Sequence, residues 1–170
     1  TDGVNFTIGC YLNIGIDHIS AIEHPDFEDY FQSKMKIFTQ CKTAVINLDT
    51  DRSEDVLEAS KNAPEVITFS TKNPNADVYG YNIRKDGSDT VFTVKTKDFD
   101  RDFTLTIPGL FNVENALCAI AVCVKLGIPE KYIYTGLLKA RSSGRMEVYE
   151  NADKRITAIV DYAHNRMSFE

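Results

Sequence analysis

Short apolar segments rich in β-branched residues alternate with helix-patterned ones at both ends of the chain, and a stretch of two-residue periodicity lies between them. Residues 4–13 (VNFTIGCYLN), 43–48 (TAVINL) and 65–70 (EVITFS) read as strands. β-Branched and aromatic side chains suit a pleated, buried surface. Residues 27–39 (FEDYFQSKMKIFT) place Tyr30, Phe31, Lys34, Ile37 and Phe38 at helical spacing, with acids in the first turn and bases later. Ser53 is expected to cap a second helix over residues 54–62, which Pro64 follows.

Residues 77–107 change character: VYGYNIRK, DTVFTVKTK and FTLTIP, around the turn Asp86-Gly87, predict an antiparallel meander. Gly109 then opens a helix over residues 112–126, closed by Gly127 and followed by Pro129. One Asn near its start, Asn112 or Asn115, is expected to cap it. A shorter helix over 130–140, a loop over 141–145 and strands over 146–150 and 156–162 (ITAIVDY) complete the chain. The expected fold class is α/β: a mostly parallel sheet flanked by helices, with an antiparallel β insert at about 77–107.

Length and charge exclude several functions. At 170 residues this is about one domain of chain, able to bury a core without staples. The net charge of −6 comes from 19 basic and 25 acidic side chains with no basic cluster, so nucleic acid is excluded as a partner. No apolar run approaches the ~20 residues of a membrane span, and residues 1–3 show no signal-peptide start. Cys10, Cys41, Cys118 and Cys123 form no C-x-x-C pair. They read as free thiols in a reducing compartment, the cytoplasm.

Open parallel sheets bind ligands beyond the carboxyl ends of their strands, so residues just after each strand are the first candidates. Two acid–His pairs occur there: Asp17-His18 after the first strand, and Asp161 with His164 after the last. A carboxylate beside an imidazole can orient it, and both can ligate metal; such pairs are also common as structural loop features. His24, beside Pro25, reads as an exposed turn residue. Lys34 sits among Tyr30, Phe31 and Phe38 on a core-facing helix. Either its stem snorkels along the core, or its amine is partly buried and chemically reactive. Asn112 and Asn115 lie one helical turn apart and could present an amide to the paired donor and acceptor of adenine. Arg145, in the loop Ser142-Ser143-Gly144-Arg145, is either a phosphate clamp or a surface residue.

Six segments in order resemble the Mur ligases, ATP-dependent amide-forming enzymes of peptidoglycan synthesis. They are NIGIDHIS (13–20), DYFQSKMKIF (29–38), VINLDTD (45–51), GLFNVENALCAIAV (109–122), SSGRMEV (142–148) and VDYAHN (160–165). Within the family, GRME and VDYAH look most like the branch that adds the third peptide residue. Folylpolyglutamate synthase and cyanophycin synthetase are similar relatives, and a non-catalytic nucleotide-binding module of the same fold is the alternative reading.

The resemblance implies ATP and Mg2+ as cofactors, with a UDP-N-acetylmuramoyl-peptide and an amino acid as substrates. It implies that His18 and a carbamylated Lys34 hold a magnesium ion and act in catalysis. Carbamylation would turn a cation that repels Mg2+ into the hard anionic oxygens it prefers. Asn112 and Asn115 would face adenine, Arg145 the phosphates and Asp161 the ribose, with His164 close to the nucleotide.

The family's phosphate-binding loop is a departure: no G-x-x-x-x-G-K-[ST] occurs in the sequence. Residues 1–165 are therefore expected to be the C-terminal part of a central ATPase domain, and 166–170 the start of a hinge. The chain by itself is expected to be inactive.

Overall fold

The computed structural model describes residues 3–15, 19–20, 22–107, 109–144 and 147–163. Strand β1 (Phe6–Tyr11) leads through a long loop to helix α1 (Phe27–Met35), which tightens into a 3-10 turn over Lys36–Thr39. Strand β2 (Cys41–Asn47), helix α2 (Ser53–Ser60) and strand β3 (Glu65–Ser70) follow. Three further strands, β4 (Val78–Asp86), β5 (Asp89–Lys95) and β6 (Asp100–Leu105), precede helices α3 (Phe111–Lys125) and α4 (Glu130–Leu138). A hairpin of β7 (Glu147–Glu150) and β8 (Thr157–Val160) ends the described chain.

Strands β1 to β6 form one sheet in sequence order, parallel from β1 to β4 and antiparallel from β4 to β6. Parallel neighbours ordinarily need a crossover of a dozen or more residues. Only residues 71–77 join β3 to β4, because the two strands overlap at their tips alone, Phe69 beside Val78 and Ser70 beside Tyr79. Strand β4 then runs past the end of β3 and pairs with β5 instead. The meander expected over 77–107 is thus a continuation of the parallel sheet. Its turn falls at Gly87, whose φ of 61° a side chain would disfavour.

Side-chain alternation splits the core in two. Ala44 and Ile46 of β2 face α1 and α2, packing with Tyr11, Tyr30, Phe31, Met35 and Val56. Val45 faces the other way, into a cluster with Phe69, Phe92, Phe103 and the α3 residues Val113, Leu117, Cys118 and Ile120. Helix α1 starts where Asp26 accepts a hydrogen bond from the Asp29 amide at 2.9 Å. Helix α3 ends as the sequence predicts: Gly127 is left-handed, its amide bonds Val124 O, and the Ile128 amide bonds Cys123 O.

Three local expectations are corrected. Ser53 does not cap α2; it is the first helical residue, and Arg52 at φ 57° precedes it without a side-chain cap. Neither Asn112 nor Asn115 caps α3, whose N-cap is Leu110. Strand β8 does not join the parallel sheet but pairs antiparallel with β7, and every residue of both strands except Glu147 is exposed.

Candidate active site

The carboxyl ends of β1, β2 and β3 make one edge of the sheet, and helices on both faces bring residues to it. On the α1 face, Tyr30, Phe31 and Met35 are buried and fix the helix against β1 and β2. Lys34 lies on the flank of that stripe, half-buried, with its ammonium 4.9 Å from the centre of the Tyr30 ring. A cation over an aromatic face is held by the ring quadrupole. The side chain borders a cleft of about 400 Å3 whose other wall is residues 10–13 at the end of β1, with Ser33 and Ile37 beside it. Among the described residues Lys34 makes no ion pair. The residue is thus half-buried, with its ammonium against an aromatic face.

Tyr11 forms the floor of this region. Burial, reinforced by the charge of its neighbours, pushes its phenol up to about 12, so it is neutral throughout the physiological range. Its hydroxyl and that of Thr50 are buried neighbours that make no hydrogen bond of ordinary geometry among the described residues. Arg52 ties α1 to α2 above them, with its guanidinium 3.9 Å from the Phe31 ring centre and bonded to Glu28 at 2.6 Å and Asp55 at 2.7 Å. His24 is half-buried rather than the exposed turn residue expected: its Nδ1 lies 2.7 Å from Asp29 Oδ2, and its ring packs on Tyr30.

On the opposite face, α3 begins at the same edge. The link is Asn47, the last residue of β2, which is 1% exposed and donates to Glu114 Oε2 at 2.8 Å. Its Oδ1 accepts from the Asp49 amide at 2.9 Å, and Asp49 in turn accepts from Ser70 Oγ and from the Thr71 amide and hydroxyl. The trailing loops of β2 and β3 are therefore pinned to each other and to the first turn of α3. Asn112 and Asn115 flank Glu114 there, with Asn115 Nδ2 donating to Asn112 Oδ1 at 3.0 Å. Gly109, at φ 101°, makes the approach, and Leu110 and Phe111 stand exposed beside the two amides. Nothing in the sequence pattern singles out Asn47 or Glu114; the available signal is a polar residue closing an otherwise apolar strand.

Asp161 follows β8 and is exposed. The hairpin brings it beside residues 142–144, since the Tyr162 amide donates to Gly144 O at 2.8 Å and Glu147 pairs with Val160. His18, Arg145 and His164 lie outside the described residues. The structure thus sets Lys34 and the Asn112–Asn115 pair on opposite faces near the carboxyl ends of β1 and β2, and Asp161 beside the loop that leads to Arg145. Among the described residues no cluster of three His, Cys, Asp or Glu side chains could hold a metal. The oxygen donors near Lys34, Asn13 and Ser33, are hard ligands that suit Mg2+, and a carboxylated Lys34 would add the anionic charge they lack.

Residues 1–123 match the family described as Mur ligase middle domain. A UDP-N-acetylmuramoyl-L-alanyl-D-glutamate–2,6-diaminopimelate ligase of Clostridioides difficile (strain 630) is 34% identical, covering 99% of this chain and 35% of that protein. A UDP-N-acetylmuramoyl-L-alanyl-D-glutamate–L-lysine ligase of Streptococcus pneumoniae serotype 4 is 33% identical, covering 96% and 32%. The crystal structure of MurF from Acinetobacter baumannii has the same fold, with a TM-score of 0.83 at 24% identity over 96% of this chain and 35% of that one. The chain spans about a third of the length of these relatives. Among the described residues, no helix is long and apolar enough to cross a membrane.

Proposed function

The chain belongs to the Mur ligase family, and we propose that it is part of the ATP-binding middle domain of a ligase joining an amino acid to a UDP-N-acetylmuramoyl-peptide. The observation that carries this reading is the position of Lys34, half-buried over Tyr30 and bordering the cleft at the carboxyl end of β1. The similarity to ligases for diaminopimelate and for L-lysine supports addition of the third peptide residue as the step.

In this reading a substrate carboxylate attacks the γ-phosphate of ATP to give an acyl phosphate, and the incoming amine displaces phosphate. Two Mg2+ ions, when bound, would neutralise the charge of the transferred phosphoryl group. Lys34, carboxylated on Nζ, and His18 would hold one of them. Asn115, with Asn112 behind it, would present an amide to adenine, and Asn47 would keep that helix turn in place through Glu114. Asp161 would accept from the ribose hydroxyls, and Arg145 would bind phosphate oxygens next to His164. A phosphate-binding loop is missing from the sequence, so the 170-residue chain alone is proposed to be inactive.

The test is made in a full-length ligase carrying this sequence. Lys34→Ala should abolish ATP-dependent ligation at any bicarbonate concentration. With 13C-bicarbonate, the parent should show a carbamate resonance that Lys34→Ala lacks. An active Lys34→Ala enzyme would remove Lys34 from the site.

A further inference from the structure

The α3 face of the sheet carries a pair of thiols that the ligase reading does not use. In β2, Val45 joins the core cluster under α3 and Asn47 bonds Glu114, so the second half of that strand turns these two residues toward the helix. Parallel register sets Ile8 beside Thr43 and Cys10 beside Val45, which turns Ile8 and Cys10 to the same side. Ile8 indeed packs on that cluster. On α3, Cys118 is one helical turn beyond Glu114 and shares its face. The two elements thus turn Cys10 and Cys118 toward each other on one face, beside Ile8 and Val45, close enough for each thiol to feel the other.

The partners differ in kind. Cys10 is exposed, whereas Cys118 is buried. The neighbouring Cys118 thiol draws Cys10 down to about 7, and the same proximity together with burial pushes Cys118 well up. A thiolate open to solvent beside a protonated, sheltered thiol is the arrangement of an attacking and a resolving cysteine. The other two cysteines are placed differently. Cys41 belongs to the cluster on the opposite face, and Cys123 is turned about 140° around α3 from Cys118.

We propose that Cys10 and Cys118 form a peroxide-sensitive dithiol that closes into a disulfide between β1 and α3. The Cys10 thiolate attacks a peroxide oxygen, the O–O bond breaks, and with one proton taken up hydrogen peroxide leaves as water and Cys10 as a sulfenic acid. Cys118 sulfur then attacks the Cys10 sulfur, the S–O bond breaks, and the hydroxyl departs as water with the Cys118 proton. Both thiols are oxidised by two electrons in all, and one peroxide is reduced to two waters.

The reduced chain, treated with one equivalent of hydrogen peroxide, should lose two hydrogens in intact mass. Peptide mapping should show Cys10 joined to Cys118, and dithiothreitol should reverse the change. Cys10→Ser, an exposed substitution that leaves the core untouched, should abolish the cross-link. Cys118→Ala should leave Cys10 as a sulfenic acid that a dimedone probe captures; if that variant does not fold, Cys10→Ser decides. A linkage of Cys10 to Cys41, an undiminished two-hydrogen loss in Cys10→Ser, or oxygen addition at Cys10 without any cross-linked peptide would overturn the assignment.

Discussion

Replacing Asn47 by Ala tests the link between the sheet edge and the start of α3. Asn47 is 1% exposed and makes two hydrogen bonds, a donation to the Glu114 carboxylate at 2.8 Å and an acceptance from the Asp49 amide at 2.9 Å. A hydrogen bond to a charged group contributes about 1.5–3 kcal/mol and a neutral one about 1 kcal/mol. Water admitted to the vacated space recovers part of this, so the expected destabilisation is about 2–4 kcal/mol. Asn47→Asp keeps the acceptor for Asp49 but sets a carboxylate against Glu114, and should be at least as damaging. Glu114→Gln keeps an oxygen for Asn47 and should lose about 1 kcal/mol. Urea unfolding followed by circular dichroism measures each value, and a double-mutant cycle with Glu114→Ala isolates the pair. A coupling energy of about 1.5 kcal/mol or more is expected. An Asn47→Ala midpoint equal to that of the parent, or a coupling near zero, would refute the pinning of α3 by this contact.

Two further outcomes follow from buried groups. Tyr11 is raised from 10.0 to about 12 in the folded chain, so both states are protonated below pH 10 and its contribution is then complete. Between pH 10 and 12 the unfolded chain loses a proton that the folded one keeps, and about 2–3 kcal/mol of stability should disappear as pH rises. Tyr11→Phe should flatten that alkaline loss in a pH series of urea midpoints; an unchanged slope would show that the phenol is not desolvated. Gly80 in β4 lies under α3, and a Cβ built there would stand 2.7 Å from Leu117 Cδ1. Gly80→Ala should therefore destabilise by about 1–3 kcal/mol through overpacking, and a variant melting at or above the parent temperature would count against this packing.

Local pattern and tertiary arrangement contributed different parts of this picture. Strand β3 occupies residues 65–70 as read from its apolar run, and α3 ends at Gly127 as its left-handed signal requires. Both depend on residues a few positions apart, where propensity and turn chemistry act directly. Lys34 also stood out, as a charge among aromatics at helical spacing, and it lies at a cleft. Asn112 and Asn115 reach the same sheet edge, yet they bond each other instead of capping the helix. The two-residue overlap of β3 with β4 had no local signature, and neither did the pairing of β8 with β7 away from the parallel sheet.

What the sequence by itself determined is where elements begin and end, which faces are apolar, and which residue types are available for chemistry. What the tertiary structure alone decided is which of them meet. Asn47 and Glu114 are 67 positions apart and bond because β2 turns Val45 and Asn47 to α3. Cys10 and Cys118 meet because parallel register carries that same face across to β1. Side-chain period is a property of a few neighbouring residues, whereas register and the choice of covering helix are settled by burying two apolar surfaces against each other. That free energy belongs to the assembled sheet and helices together, so no single segment encodes it.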